Sequence, residues 1–216
     1  MIILDTVTQN WRNTFMLNNF MENLQKYAKL LVAKGINVQP GDWVKMTITV
    51  DQAPLARFIT QEAYALGAEK VIVKWSDDEI TKLHYLHQPT EVLTDIPQYE
   101  IDESEDHVLN HRVSRLSILS SDPGLLNGVD PTKVAAFQNV AGKAFHAQRK
   151  ATQNDDLKWT VAAAAGASWA ATVFPHLATS EEQVDALWDQ IFKTCRVYEE
   201  DPIAAWDEHR KTLNEK

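Results

Sequence analysis

Between Trp43 and Trp75 the hydrophobic period changes twice within about 35 residues, and that switch restricts the folds open to the chain. Residues 43–50, WVKMTITV, alternate or run apolar with β-branched side chains, the composition of a strand. Leu55, Phe58, Ile59, Ala63 and Leu66 then recur at helical spacing. Asp51 stands where a cap is needed, Pro54 falls in the first turn, and Gly67 follows the last apolar residue. Residues 70–75, KVIVKW, return to a strand period. A strand joined to the next by a whole helix is a crossover connection, so the two strands are expected to run parallel.

The alternation extends in both directions. Leu17, Phe20, Leu24, Tyr27 and Leu31 are spaced 3-4-3-4, an amphipathic stripe that Gly35 closes. Residues 78–87 read as helix, and the Pro-punctuated acidic segment 88–103 as broken helix. Residues 114–119 form a third strand, followed by a turn at Asp122-Pro123-Gly124. One helix is expected over 131–152, with Val134, Phe137, Val140, Ala141 and Phe145 inward. Residues 159–164, WTVAAA, form a fourth strand whose small side chains suit burial on both faces. Ser180 and Gln183 make a capping box for a helix whose stripe is Val184, Leu187, Trp188, Ile191, Phe192 and Cys195. Asp201-Pro202 opens a last helix as N-cap and N1, and no stop signal follows it. The expected architecture is a Rossmann-like three-layer α/β domain with a mostly parallel sheet of four or more strands. It spans residues 16–216, and 1–15 form an N-terminal extension ahead of the better helix start at Met16.

Charge narrows the partners. With 21 basic and 30 acidic residues the net charge is −9, and no Lys/Arg run stands out, which argues against a nucleic-acid or anionic-membrane surface. No apolar run approaches the ~20 residues of a membrane span, and the start lacks the basic n-region of a secretory leader. The single cysteine, Cys195, cannot form an internal disulfide and falls on a helix stripe, as a packed thiol would. A cytoplasmic protein is the expectation.

Motifs that would carry chemistry are sparse. Glu103, His107 and His111 would share one helix face, a geometry suited to a divalent metal; the surrounding Asp102, Glu105 and Asp106 favour a solvated acidic helix instead. His84 and His87 flank Tyr85 near a helix end, where a surface or packing role is the simpler reading. H-E-x-x-H, G-x-G-x-x-G, the P-loop and the nucleophile elbow G-x-S-x-G are all absent. What remains is positional: open parallel sheets form clefts beyond the carboxyl ends of their strands. Asp51, Trp75, Asp77, Ser120, Ser121, Asp122 and Trp169 gather there as candidates for a cleft or interdomain surface, set against the plain role of capping the next helix. No catalytic or metal-ligating residue is assigned.

Five collinear blocks carry a resemblance: NLQKYAKLLVAKGINVQPGD (23–42), QEAYALGAEKVIVKWSDD (61–78), SSDPGLLNGVDPTKVAAF (120–137), KWTVAAAAGASWAATVFP (158–175) and LWDQIFKTCRVYEEDPIAAW (187–206). Together they resemble the N-terminal domain of the thermophilic metallo-aminopeptidases of the aminopeptidase S and aminopeptidase T type, over nearly the whole chain. The resemblance implies a cytoplasmic, dimeric hydrolase that removes N-terminal residues from peptides with two divalent ions, zinc, cobalt or magnesium. The ligands of those ions belong to the family's second, C-terminal domain, and none maps onto a position here. The implied role of this segment is to support and partly enclose the metal site and to contribute dimer contacts, with no activity by itself. A free-standing α/β interaction module without catalysis is the alternative.

Overall fold

The computed structural model describes residues 19–111 and 113–214. Leu17, Met16 and the proposed extension 1–15 lie outside the described residues. The chain enters through α1 (Phe20–Leu30), which widens into a π turn at Leu31–Gly35. Next come β1 (Trp43–Thr49), a 3-10 turn (Val50–Gln52), α2 (Ala53–Ala65) and β2 (Lys70–Ser76). Then α3 (Asp78–His87), the short α4 (Thr90–Leu93) and α5 (Gln98–Leu109) lead into β3 (Val113–Leu119). The helices α6 (Pro131–Ala144) and α7 (His146–Gln153) lead to β4 (Trp159–Ala163). The described chain ends with α8 (Ala167–Val173), α9 (Ser180–Thr194) and α10 (Pro202–Asn214).

The four strands form one parallel sheet in the order β2-β1-β3-β4. Pleating sends Val44, Met46 and Ile48 to one face and Trp43 and Lys45 to the other. The first face carries the core. Phe20, Leu24 and Tyr27 of α1, Leu55 and Ile59 of α2, and Trp188 and Phe192 of α9 close over it, all buried. The second face is covered more thinly. Lys45 reaches Glu103 of α5 at 3.3 Å, and Ser104 of α5 bonds Gln148 of α7 at 2.8 Å. The helices α3, α4 and α6 contain no fully buried residue. The expected inward stripe of α6 is therefore only half-buried, because it packs on other helices rather than on the sheet.

Four expectations need correction. The helix 131–152 breaks at Phe145, whose backbone (φ −100, ψ 30) leaves helical geometry so that α7 can turn back onto α5. Thr179 with Glu182, not Ser180 with Gln183, forms the capping box: Glu182 N donates to Thr179 Oγ1 at 3.2 Å and Thr179 N to Glu182 Oε2 at 3.1 Å. Both frames satisfy the same pattern, and periodicity does not resolve a one-residue shift. Asp51 does not cap α2; a 3-10 turn intervenes, and its carboxylate accepts from Gln52 Nε2 at 2.9 Å. Finally, β4 is an edge strand rather than a doubly buried one, with Trp159 47% and Val161 52% exposed. The caps at Asp77 and Asp201 form as the sequence suggests.

Candidate functional site

The sheet order reverses direction between β1 and β3, so the crevice of an open α/β sheet falls at the carboxyl ends of those two strands. Thr49 ends β1 and Ser120 follows β3; their hydroxyls hydrogen-bond each other, and both are buried. Gln52 Nε2 donates to the Ala165 carbonyl at 3.1 Å, tying the turn after β1 to the chain leaving β4. Gly166 presses its backbone onto the Ser120 carbonyl so closely that a Cβ there would clash with it. The switch point is therefore filled by protein. Beside it lies a small cavity of about 140 Å³, with Asp51 and Gln52 on its rim and Phe20, Leu24 and Trp188 in its wall.

The seven candidates separate into four groups. Ser120 is buried in the Thr49 pair and braces the strands. Asp77 accepts from Ile80 N at 3.0 Å as the cap of α3, and Asp122 shapes its own turn by accepting from Gly124 N at 2.7 Å. These turns are joined, because Asp122 N donates to Asp78 Oδ2 at 2.8 Å. Asp51, Trp75 and Ser121 are exposed at this end of the sheet. Trp169 is apart from the others: it lies half-buried in a groove on the α1 side of β4.

An exposed apolar patch was expected where the family's second domain docks; its place, a groove of about 710 Å³, was not legible in the sequence. Its floor is β4 and α1, its walls α9 and α10, and its lining includes Leu30, Ala162, Ile191, Trp206 and Leu213. Tyr27 at its base donates its hydroxyl to the Ala163 carbonyl at 2.9 Å, and burial pushes the phenol's pKa upward. Cys195 also faces it, its thiol pKa raised by burial. Lys34 and Asp207 pair across the mouth at 2.8 Å. Only the run of small residues after Trp159, with no charge before Gly166, hinted at such a surface.

The histidine cluster lies at the opposite, amino end of the sheet. His107 is buried, where a solvated position was expected. Its Nδ1 lies 3.4 Å from Lys45 Nζ, its ring meets Trp43 edge-on, and His111 stacks on Trp43 at 3.6 Å. Burial, followed by the Lys45 charge, lowers the His107 pKa, while Glu103 and Asp106 pull the other way. His111 pairs with Asp106 at 3.3 Å instead of converging with His107 on a common point. The Lys45 ammonium, 3.3 Å from Glu103 and 3.4 Å from His107, stands against two of the three residues proposed as ligands. Among the described residues, no three His, Cys, Asp or Glu side chains come together as potential ligands. Nor is any described helix long and apolar enough to cross a membrane.

Comparison with known proteins agrees with the fold and the resemblance. The chain is 52% identical over 201 residues to aminopeptidase PepS of Streptococcus thermophilus, a match covering 93% of this chain and 48% of that protein. It is 41% identical to aminopeptidase AmpS of Bacillus subtilis, again over 93% of this chain and 48% of the relative. The solved structure of wild-type AmpT from Thermus thermophilus superposes with a TM-score of 0.80 at 30% identity, covering 89% of this chain and 47% of that one. The chain thus spans about half the length of the curated relatives it matches. The model of the thermophilic metalloprotease (M29) family matches residues 20–216, and the chain belongs to that family.

Proposed function

We propose that this chain is the N-terminal, non-metal-binding domain of a metal-dependent aminopeptidase that releases N-terminal amino acids from peptides. The observation that carries the reading is the family match over residues 20–216, together with matches over 93% of this chain to proteins named aminopeptidases that cover only 48% of their length. In this reading two divalent ions, zinc, cobalt or magnesium, are held by the other half of the enzyme, which works as a cytoplasmic homodimer. When bound, such ions polarise the scissile carbonyl and activate water. The residues described here do not fit that task, so no chemical step is assigned to them.

Their proposed work is positional. The bonded ends of β1 and β3 and the Gly166–Ser120 contact make the carboxyl edge of the sheet a rigid wall. Asp51, Trp75 and Ser121 are the side chains on that wall free to face a substrate cleft. A wall of this kind limits access to the metals and admits short peptides. A chimera in which this chain replaces the matched region of the Streptococcus thermophilus aminopeptidase tests the proposal. Metal-dependent release of leucine from an N-terminal leucine reporter is expected. A folded chimera with no turnover would contradict it.

A further inference from the structure

We propose that the outer edge of β4, with the apolar groove beside it, is the seat on which the other half of the aminopeptidase docks, through an extended apolar segment laid along β4. This deepens the reading above and rests on it. Arg115 N donates to Lys158 O and Ala164 N to Leu119 O, so the even-numbered residues of β4 bond to β3. The N–H and C=O groups of Trp159 and Val161 accordingly point away from the sheet. No strand lies beyond β4 among the described residues.

The two edges of the sheet are unlike. The β2 edge carries Lys70 and Lys74, both exposed, and charged side chains are a standard device that stops an edge from pairing. From Trp159 to Ala165 the β4 edge has no charge, no proline and no bulge-forming glycine. It instead exposes Trp159 and Val161 on one face, while the groove opens on the other. An edge left open, apolar on both faces and flanked by a 710 Å³ trough, has the properties of a sheet waiting for another strand. The relatives supply the candidate: each is about twice as long as the region matched here. Leu213, 59% exposed on α10, and Trp206 roof the trough and would lie against the incoming segment.

The test compares amide hydrogen exchange in this chain alone with that in the chimera described above. The Trp159 and Val161 amides are expected to exchange at least tenfold more slowly in the chimera. Val161→Pro removes only an outward N–H, and Leu213→Asp charges the trough; each should return Trp159 to the rate of the isolated chain. Val161→Lys serves if the proline variant does not fold. An active chimera whose Trp159 and Val161 amides exchange as in the chain alone would overturn the docking surface and leave the aminopeptidase reading intact. A folded but inactive chimera would instead defeat that reading. Two other results would assign the seat to a different occupant and overturn the inference. One is a dimer of the isolated chain that dissociates on Leu213→Asp. The other is a tenfold rise in Trp159 exchange when residues 1–18 are deleted.

Discussion

Replacing Trp188 by alanine removes the largest side chain of the core, which is 2% exposed. Its indole meets Phe20 edge-on at 5.6 Å, Tyr27 at 6.3 Å and Phe192 at 5.2 Å, so the deletion strips three aromatic partners at once. Those partners come from α1 and α9, and they cannot close the gap without moving a helix against the sheet. Buried Trp→Ala changes cost about 3–5 kcal/mol, and the loss of several aromatic pairs at about 0.5–1.5 kcal/mol each places this one in the upper part of that range. For a chain of this size that corresponds to a fall in Tm of roughly 6–20 °C. Urea unfolding followed by circular dichroism should show a lower midpoint with an unchanged slope. Trp159→Ala, at the exposed β4 edge, is the control and should cost less than about 1 kcal/mol. A Trp188→Ala cost below about 1 kcal/mol would mean that α9 is not the lid of the core. A loss of self-association at unchanged stability would mean that its stripe covers a partner.

Three further outcomes are expected. His107 stays neutral in the fold to a lower pH than its ordinary 6.5, because burial and then Lys45 disfavour the cation. The unfolded chain protonates first as pH falls, so this part of the stability is whole above about pH 6.5 and is lost as pH drops toward the folded-state value. Urea midpoints measured at about pH 7.5 and about pH 5 should therefore differ less in His107→Phe than in the parent, and an equal difference would refute the assignment. Gly166→Ala drives a Cβ into the Ser120 carbonyl and should cost at least about 2 kcal/mol by thermal melting; a neutral effect would show that β3 and α8 are not locked together. Lys158 Nζ contacts Asp42 Oδ2 at 2.7 Å, and the Asp42 side chain is fully buried. Lys158→Met should cost about 1–3 kcal/mol in urea, and a variant as stable as the parent would show the pair to be dispensable.

The parallel sheet was legible because β1, α2 and β2 each keep one period, and period is set by which face meets the core. The cap at Asp201 was legible because no other capping residue stands directly before Pro202, whereas Asp77 caps α3 with Ser76 and Asp78 on either side of it. Where two residues qualified, as with Thr179 and Ser180, local pattern did not choose between them. The burial of His107 was not legible, since its acidic neighbours face solvent while Trp43 and Lys45, distant in sequence, enclose its ring. Ser120 illustrates the same limit at the candidate site. Its position after a strand marked it, but only the fold shows its hydroxyl spent on Thr49. The small residues of β4 were read as a sign of two covered faces; the structure places them at an uncovered edge, and composition says nothing about strand order.

In the proposed enzyme the metal chemistry lies outside this domain. Hydrolysis of an N-terminal leucine reporter by the purified 216-residue chain, with zinc or cobalt added, tests it most directly. No release above the metal-only blank is the predicted result. Turnover that depends on both the chain and the metal would contradict that separation.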